Sequence, residues 1–244
     1  MPCRGRVSGI LAPQWGQNRR AIPAIAFTGP GTSSTLPPGP CQTIYRFVFQ
    51  RIRADRGVRS PFEYIEVDWN TEGLPRGPNN SFTSPHFDFH YYLRPRRVVD
   101  AKTMCVSSNG KTCDPFKTSY AQMRRFLTLP APAFIPASYA PEVESSIPMM
   151  GLHLLDRTFD YTVHNVDHHP TLIYGTFDGK VLFAEASVTL ATLQDAIAAP
   201  GHVVSFPYHQ PRAVQGGVPW PKRFTIQYLP SGTFRAGFEL FRTR

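Results

Sequence analysis

With 244 residues, 25 Pro, 18 Phe and a 13% aromatic share, the chain can bury a large aromatic core, and its prolines argue against long helices. No apolar run approaches the roughly 20 residues of a membrane-spanning helix, so no membrane span is expected. The formal charge of +9 gathers at the start: residues 1–60 carry nine Arg and a single acid, Asp55, while residues 61–244 hold 17 basic and 16 acidic residues. A basic tail on a near-neutral domain lacks the basic face that nucleic-acid binders present, so no nucleic-acid partner is expected.

Taken in chain order, residues 1–59 are Arg/Pro/Gly-rich, with stretches such as TGPGTSSTLPPGP that show no period of 2 or 3.6; they read as a poorly ordered extension. Arg19-Arg20 stands before AIPAIAF, but that apolar piece is short and contains Pro23, so it makes no clear signal peptide. From residue 60 to 244 the pattern changes to that of one β-rich domain. FEYIEVDW alternates, and HFDFHYYL follows a Gly/Pro/Asn loop, both as strands do. Cys105 and Cys113 flank VSSNGKT, whose Asn109-Gly110 is a turn signal. The two thiols are either linked, which places the domain outside the cytosol, or unrelated. No zinc-finger cysteine spacing is present.

Two short helices are predicted, one opened by Ser119 and running to Pro130, the other opened by Thr189 and running to Pro200-Gly201. Between them, Asp178-Gly179 separates TLIYGTF from KVLFAEASV, a signature of a type I′ hairpin. The fold class is therefore mainly β: a single barrel- or sandwich-like domain with two short helices and long Pro-rich loops.

The chemistry gathers in three strand segments. In PHFDFHY, His86, Asp88 and His90 share one face and Phe87, Phe89 and Tyr91 the other. Two imidazoles and a carboxylate on one rigid strand are donors from which a β scaffold can build a metal site, although a polar strand surface has the same pattern. Counting outward from the Asp178-Gly179 turn sets Leu172 opposite Glu185 and puts Glu185 on an apolar face with Tyr174, Val181 and Phe183. There it needs a charged partner, a proton or a metal. His153 in MMGLHLLD is a further candidate ligand, or an ordinary hydrogen-bonded core histidine. His209 lies in a Pro-rich loop, and His164, Asp167, His168 and His169 in VHNVDHHP read as a polar loop. There is no nucleophile elbow and no phosphate-cradling glycine loop.

The segments IEVDWNTEGLP, SPHFDFHYYL, IPMMGLHLLD, TLIYGTFDGKVLFAEASVT and GGVPWPKRFTIQYLPSGTFRAGFELF together resemble a bacterial family of unknown function typified by a sigma-E-regulon protein of Thermus. The resemblance covers residues 60–244 and falls on His86, Asp88, His90, Gly151, His153, Gly175, Asp178, Gly179 and Glu185. It implies a β-rich fold and homo-oligomeric assembly, without an activity or cofactor. The Arg/Pro-rich start and the Cys-containing stretch from Met104 to Pro115 depart from it.

Two functions are carried forward. In the first, His86, His90 and Glu185, with His153 and Asp88 as further donors, bind a divalent transition metal, with Fe, Mn and Zn not distinguished. Were this site catalytic, it would suit oxygen chemistry or a Lewis-acid step. In the second, the protein is a non-enzymatic oligomeric or ligand-binding envelope component without a metal, and the same residues form a hydrogen-bonded network around or beside an unknown small molecule.

Overall fold

The structure is a computed structural model describing residues 61–70, 73, 78–100, 114, 116–147, 150–217 and 220–240, together with four strand segments before residue 50. The Cys105/Cys113 pairing and the Asn109-Gly110 turn lie outside the described residues.

Two antiparallel sheets make the body of the protein. The first to engage the candidate site has seven strands. In sequence these are β4 (Thr43–Val48), β5 (Tyr64–Asn70), β6 (His86–Tyr92), β7 (Tyr139–Ile147), β8 (Gly151–Asp156), β9 (Thr171–Phe177) and β10 (Lys180–Thr189), and across the sheet the order is β4-β5-β6-β10-β9-β8-β7. In the second sheet, β1 (Val7–Ser8), β3 (Ile25–Phe27), β13 (Phe234–Leu240), β12 (Pro221–Tyr228) and β11 (Val203–Pro207) lie side by side, with β2 (Arg20–Ala21) also on β13. Among the described residues the seven-stranded sheet ends on β4 and β7, each with one neighbour. The strands therefore form a sandwich and not a closed barrel. Four segments within residues 1–59 contribute backbone pairing, the longest running from Thr43↔Trp69 to Val48↔Tyr64.

Strand alternation explains the core. Ile65 and Val67 of β5, Phe87, Phe89 and Tyr91 of β6, Leu152 and Leu154 of β8 and Tyr174 of β9 point to the partner sheet. There they meet Phe224 and Ile226 of β12 and Phe234, Ala236 and Phe238 of β13. Ring contacts cross the interface between Phe89 and Phe224 at 5.9 Å, Tyr91 and Phe238 at 4.6 Å, and Tyr174 and Trp220 at 6.0 Å. Burial of a Phe-sized side chain is worth about 1.5–3 kcal/mol, so this aromatic layer is the main source of cohesion.

The helices follow their caps. Ser119 Oγ accepts from the Gln122 N–H at 3.3 Å to open α2 (Tyr120–Leu127), after the short α1 (Arg96–Asp100). Thr189 Oγ1 accepts from the Thr192 N–H at 3.2 Å to open α4 (Leu190–Ala198). Two helices join the predicted pair: α1, and α3 (Val163–His168), N-capped by Thr162. The VHNVDHHP segment is thus helical where composition suggested a polar loop. Among the described residues no helix is long and apolar enough to cross a membrane.

The predicted hairpin forms, with φ of 54° at Asp178 and 72° at Gly179, as a type I′ turn requires of both central residues. Its register changes beyond the turn. Lys180↔Phe177 and Val181↔Thr176 follow the two-residue count, but a β-bulge then sets Phe183 opposite Gly175 and Glu185 opposite Ile173. The extra residue moves Phe183 and Glu185 off the face of Tyr174 and Leu172, contrary to the expectation from simple counting.

Candidate polar site on the seven-stranded sheet

The face of this sheet turned away from the partner sheet carries an ordered block of polar side chains. Register aligns Tyr64, Tyr92, Phe183, Gly175 and His153 in one row, Glu66, His90 and Glu185 in the next, then Asp68, Asp88 and Ser187, and finally Asn70, His86 and Thr189. All the polar members are buried, with Glu66 at 6%, Asp68 at 3%, Asp88 at 6%, His90 at 2% and Glu185 at 4% exposure. Charged groups held this dry must answer one another's charge.

His90 stands at the centre. Its Nε2 lies 3.2 Å from Glu185 Oε2 on β10, and its Nδ1 lies 3.3 Å from Asp68 Oδ2 on β5. His90 Nδ1 has no aligned hydrogen-bond partner among the described residues, nor do Glu185 Oε2 and Asp68 Oδ1, while Glu185 acts on the ring both through its charge and through a hydrogen bond. Burial alone would lower the affinity of His90 for its proton, but Glu185, and after it Asp68 and Asp88, raise its pKa to about 10. Asp68 responds in the opposite sense to an ordinary ion-pair partner. Its burial outweighs the help from His90, and with the neighbouring acids Glu66, Asp88 and Glu185 it is pushed up to about 7.

The next rows hold a second, better-bonded pair. Asp88 Oδ1 accepts from Ser187 Oγ at 2.5 Å and Oδ2 from Asn70 Nδ2 at 2.7 Å, and His86 Nε2 lies 3.5 Å from Oδ2. His86 Nδ1 meets the Ser84 carbonyl at 2.7 Å. Burial pushes Asp88 up, yet His86, then His90 and the Ser187 hydrogen bond, hold it at about 2, while burial of His86 is overcome by Asp88, which lifts it to about 9. Ser187 Oγ also lies 3.5 Å from Glu185 Oε1, with its one hydroxyl proton directed to the nearer Asp88.

Of the residues singled out in the sequence, His90 and Glu185 come together, with Asp88 in the adjoining row. His86 is turned to Asp88 and the Ser84 carbonyl. His153 is set apart by Phe183, whose ring stands edge-on to His90 at 5.1 Å and to His153 at 5.8 Å. That ring fits because residue 175 is glycine: a Cβ there would lie 2.0 Å from Phe183 Cε1. His209 sits elsewhere, on Ser138 at 2.8 Å and Asp156 at 2.9 Å. Among the described residues no group of three His, Cys, Asp or Glu is already gathered around one point.

Asp68, Ser187 and Asn70 complete the network without having been singled out. Their signal was present in the alternation of Glu66, Asp68 and Asn70 along β5 and in the i, i+2 spacing of Glu185 and Ser187, which places each set on one face. The register also sets Arg46 of β4 opposite Glu66. Comparison with family models, curated proteins and solved structures finds no match to the chain.

Proposed function

We propose that the polar face of the seven-stranded sheet takes up a divalent transition metal, with His90 Nε2 and Glu185 as its two protein donors. The observation that carries this reading is the buried 3.2 Å approach of Nε2 to Glu185 Oε2, an oxygen that has no aligned donor among the described residues. Donor atoms on one ion with bonds of about 2.1 Å stand roughly 3.0–3.4 Å apart, depending on the angle between them. Asp68 on the other side of the ring would accept from Nδ1–H, the orientation that turns Nε2 towards a metal. Four buried acids, Glu66, Asp68, Asp88 and Glu185, share this face with two imidazoles; Glu66 has a partner of its own, which leaves three acids to two imidazoles, and neither Lys nor Arg is among the buried described residues. A cation answers the carboxyl group left over, which otherwise keeps a proton.

Water would complete the coordination. His86 serves Asp88, and His153 stands behind Phe183, so both are outside this donor set. No reaction is assigned. Titration of a His164→Ala chain, which lacks the exposed pair of His164 and His168 on α3, with Co²⁺ tests the proposal through its visible d–d bands: a one-to-one spectrum lost on adding Glu185→Gln or His90→Ala supports it. Bands unchanged in both variants count against it.

A metal-free reading is favoured by one feature of the same geometry. With a carboxyl group beside each ring nitrogen, a protonated His90 is already compensated, so the network also suits a purely structural or ligand-binding role. Homo-oligomeric assembly, implied by the family resemblance, remains a separate proposal that light scattering on the purified chain tests.

A further inference from the structure

The three-histidine segment between β8 and β9 carries an inference independent of the buried network. His164 and His168 are four residues apart on α3, hence on one helix face, and their ring centroids are 5.0 Å apart. With metal–nitrogen bonds of about 2.0–2.1 Å, two imidazoles on a single ion have centroids roughly 4.5 Å apart at a right angle and roughly 5.2 Å apart at the tetrahedral angle. The observed spacing lies between these limits.

The second observation is what holds His168. Its Nδ1 meets Asp195 Oδ2 of α4 at 2.7 Å. A carboxylate that accepts from Nδ1–H selects the tautomer with a lone pair on Nε2 and fixes the ring, as it does for many metal-binding histidines. The helix is itself anchored. Val166 is buried against Phe82, Leu155, Tyr161 and Ile173. The Asp167 carbonyl accepts from the hydroxyls of Thr189 and, at 2.8 Å, Thr192, both at the start of α4. His164 is exposed and His168 half-exposed, so a solvent cation can reach both. His169 is turned away, with Nδ1 at the Asn165 carbonyl and its ring beside Phe206.

We propose that His164 and His168 form a two-histidine chelate for a solvent-borne divalent cation of the Cu²⁺, Ni²⁺ or Zn²⁺ class, with Asp195 positioning His168. Imidazole donors select these ions over Mg²⁺ and Ca²⁺, which prefer oxygen. Water fills the remaining positions, so the ion exchanges readily with solvent.

Calorimetric titration of the full chain with Ni²⁺ tests this. His164→Ala and His168→Ala should each weaken binding at this site at least tenfold, and Asp195→Asn should weaken it about tenfold through loss of ring orientation. His169→Ala and His90→Ala should leave it unchanged. Among the described residues His164 makes no hydrogen bond to α4, so His164→Ala should also keep the wild-type thermal midpoint, and its effect on Ni²⁺ then reports ligation. Ni²⁺ affinity of His164→Ala within twofold of wild type, or an equal loss in His169→Ala, would overturn the chelate.

Discussion

Substituting Gly175 by alanine puts the packing around His90 to a direct test. The added Cβ would fall 2.0, 2.2 and 2.5 Å from Cε1, Cζ and Cδ1 of Phe183, where ordinary contact begins at 3.4 Å. One of the two must move by more than an ångström. Phe183 is fully buried, edge-on to His90 and His153 and 5.1 Å from the Tyr92 ring, so it cannot swing aside without striking a neighbour. Overpacking typically costs 1–3 kcal/mol, and a clash against a boxed-in ring belongs at the upper end, about 3 kcal/mol. For a domain of this size that corresponds to a fall of roughly 6–12 °C in thermal midpoint. Urea unfolding measures it, provided the slope is unchanged. Phe183→Leu should relieve the clash, so the double variant should be more stable than the sum of the single losses predicts, by about 1 kcal/mol or more. A Gly175→Ala loss below about 1 kcal/mol, or strictly additive losses, would refute the close approach of Phe183 to Gly175.

The remaining predictions concern the charges of the buried network in chelator-treated protein. Glu185→Gln should bring the His90 pKa down from about 10 and destabilise the fold at pH 7 by about 2–4 kcal/mol, because it leaves a buried imidazolium half-compensated; NMR titration of the ring protons and urea unfolding check both parts. His86 and His90 bind protons more tightly folded than unfolded, with pKa values of about 9 and about 10. Their contribution is complete below about pH 6.5 and lost as pH rises through those values, so the urea midpoint should fall between pH 7 and 10. A flat profile would contradict the ion pairs. Asp68 is an acid raised to about 7, so the folded state holds its proton between about pH 4 and 7 and loses stability as pH climbs through that range. Asp68→Asn should therefore gain stability relative to wild type at pH 8 more than at pH 5, by up to a few kcal/mol.

Much of this arrangement was legible before the structure because it depends on local rules. Alternation assigned the two faces of β6, the hydroxyls of Ser119 and Thr189 located two helices, and Asp178-Gly179 located the hairpin. The bulge after Val181 was not legible. It depends on how β10 settles between β6 and β9, and by shifting the register one place it moved Glu185 from the Tyr174 face to the His90 face. The neighbours of His90 were equally hidden, since Asp68 and Glu185 reach it only through the non-local order β5-β6-β10. The separation of His153 turned on a single ring, Phe183, lying over a glycine two strands from His90. Helix α3 was obscured by its polar composition; its stability comes from Thr162 at its start and the contacts of Val166 and Asp167, which composition does not reveal.

The central claim is that His90 and Glu185 hold a divalent ion on the buried face, and elemental analysis of the chain purified without added metal tests it most directly. The measurement is best made in a His164→Ala background, so that the surface histidine pair does not contribute. The account predicts close to one equivalent of a transition metal per chain, retained by a further His153→Ala change and lost on His90→Ala or Glu185→Gln. A chain that carries no ion and takes none up when Fe²⁺, Mn²⁺ or Zn²⁺ is offered at neutral pH would contradict it, and would leave the face as a charge network that holds only protons.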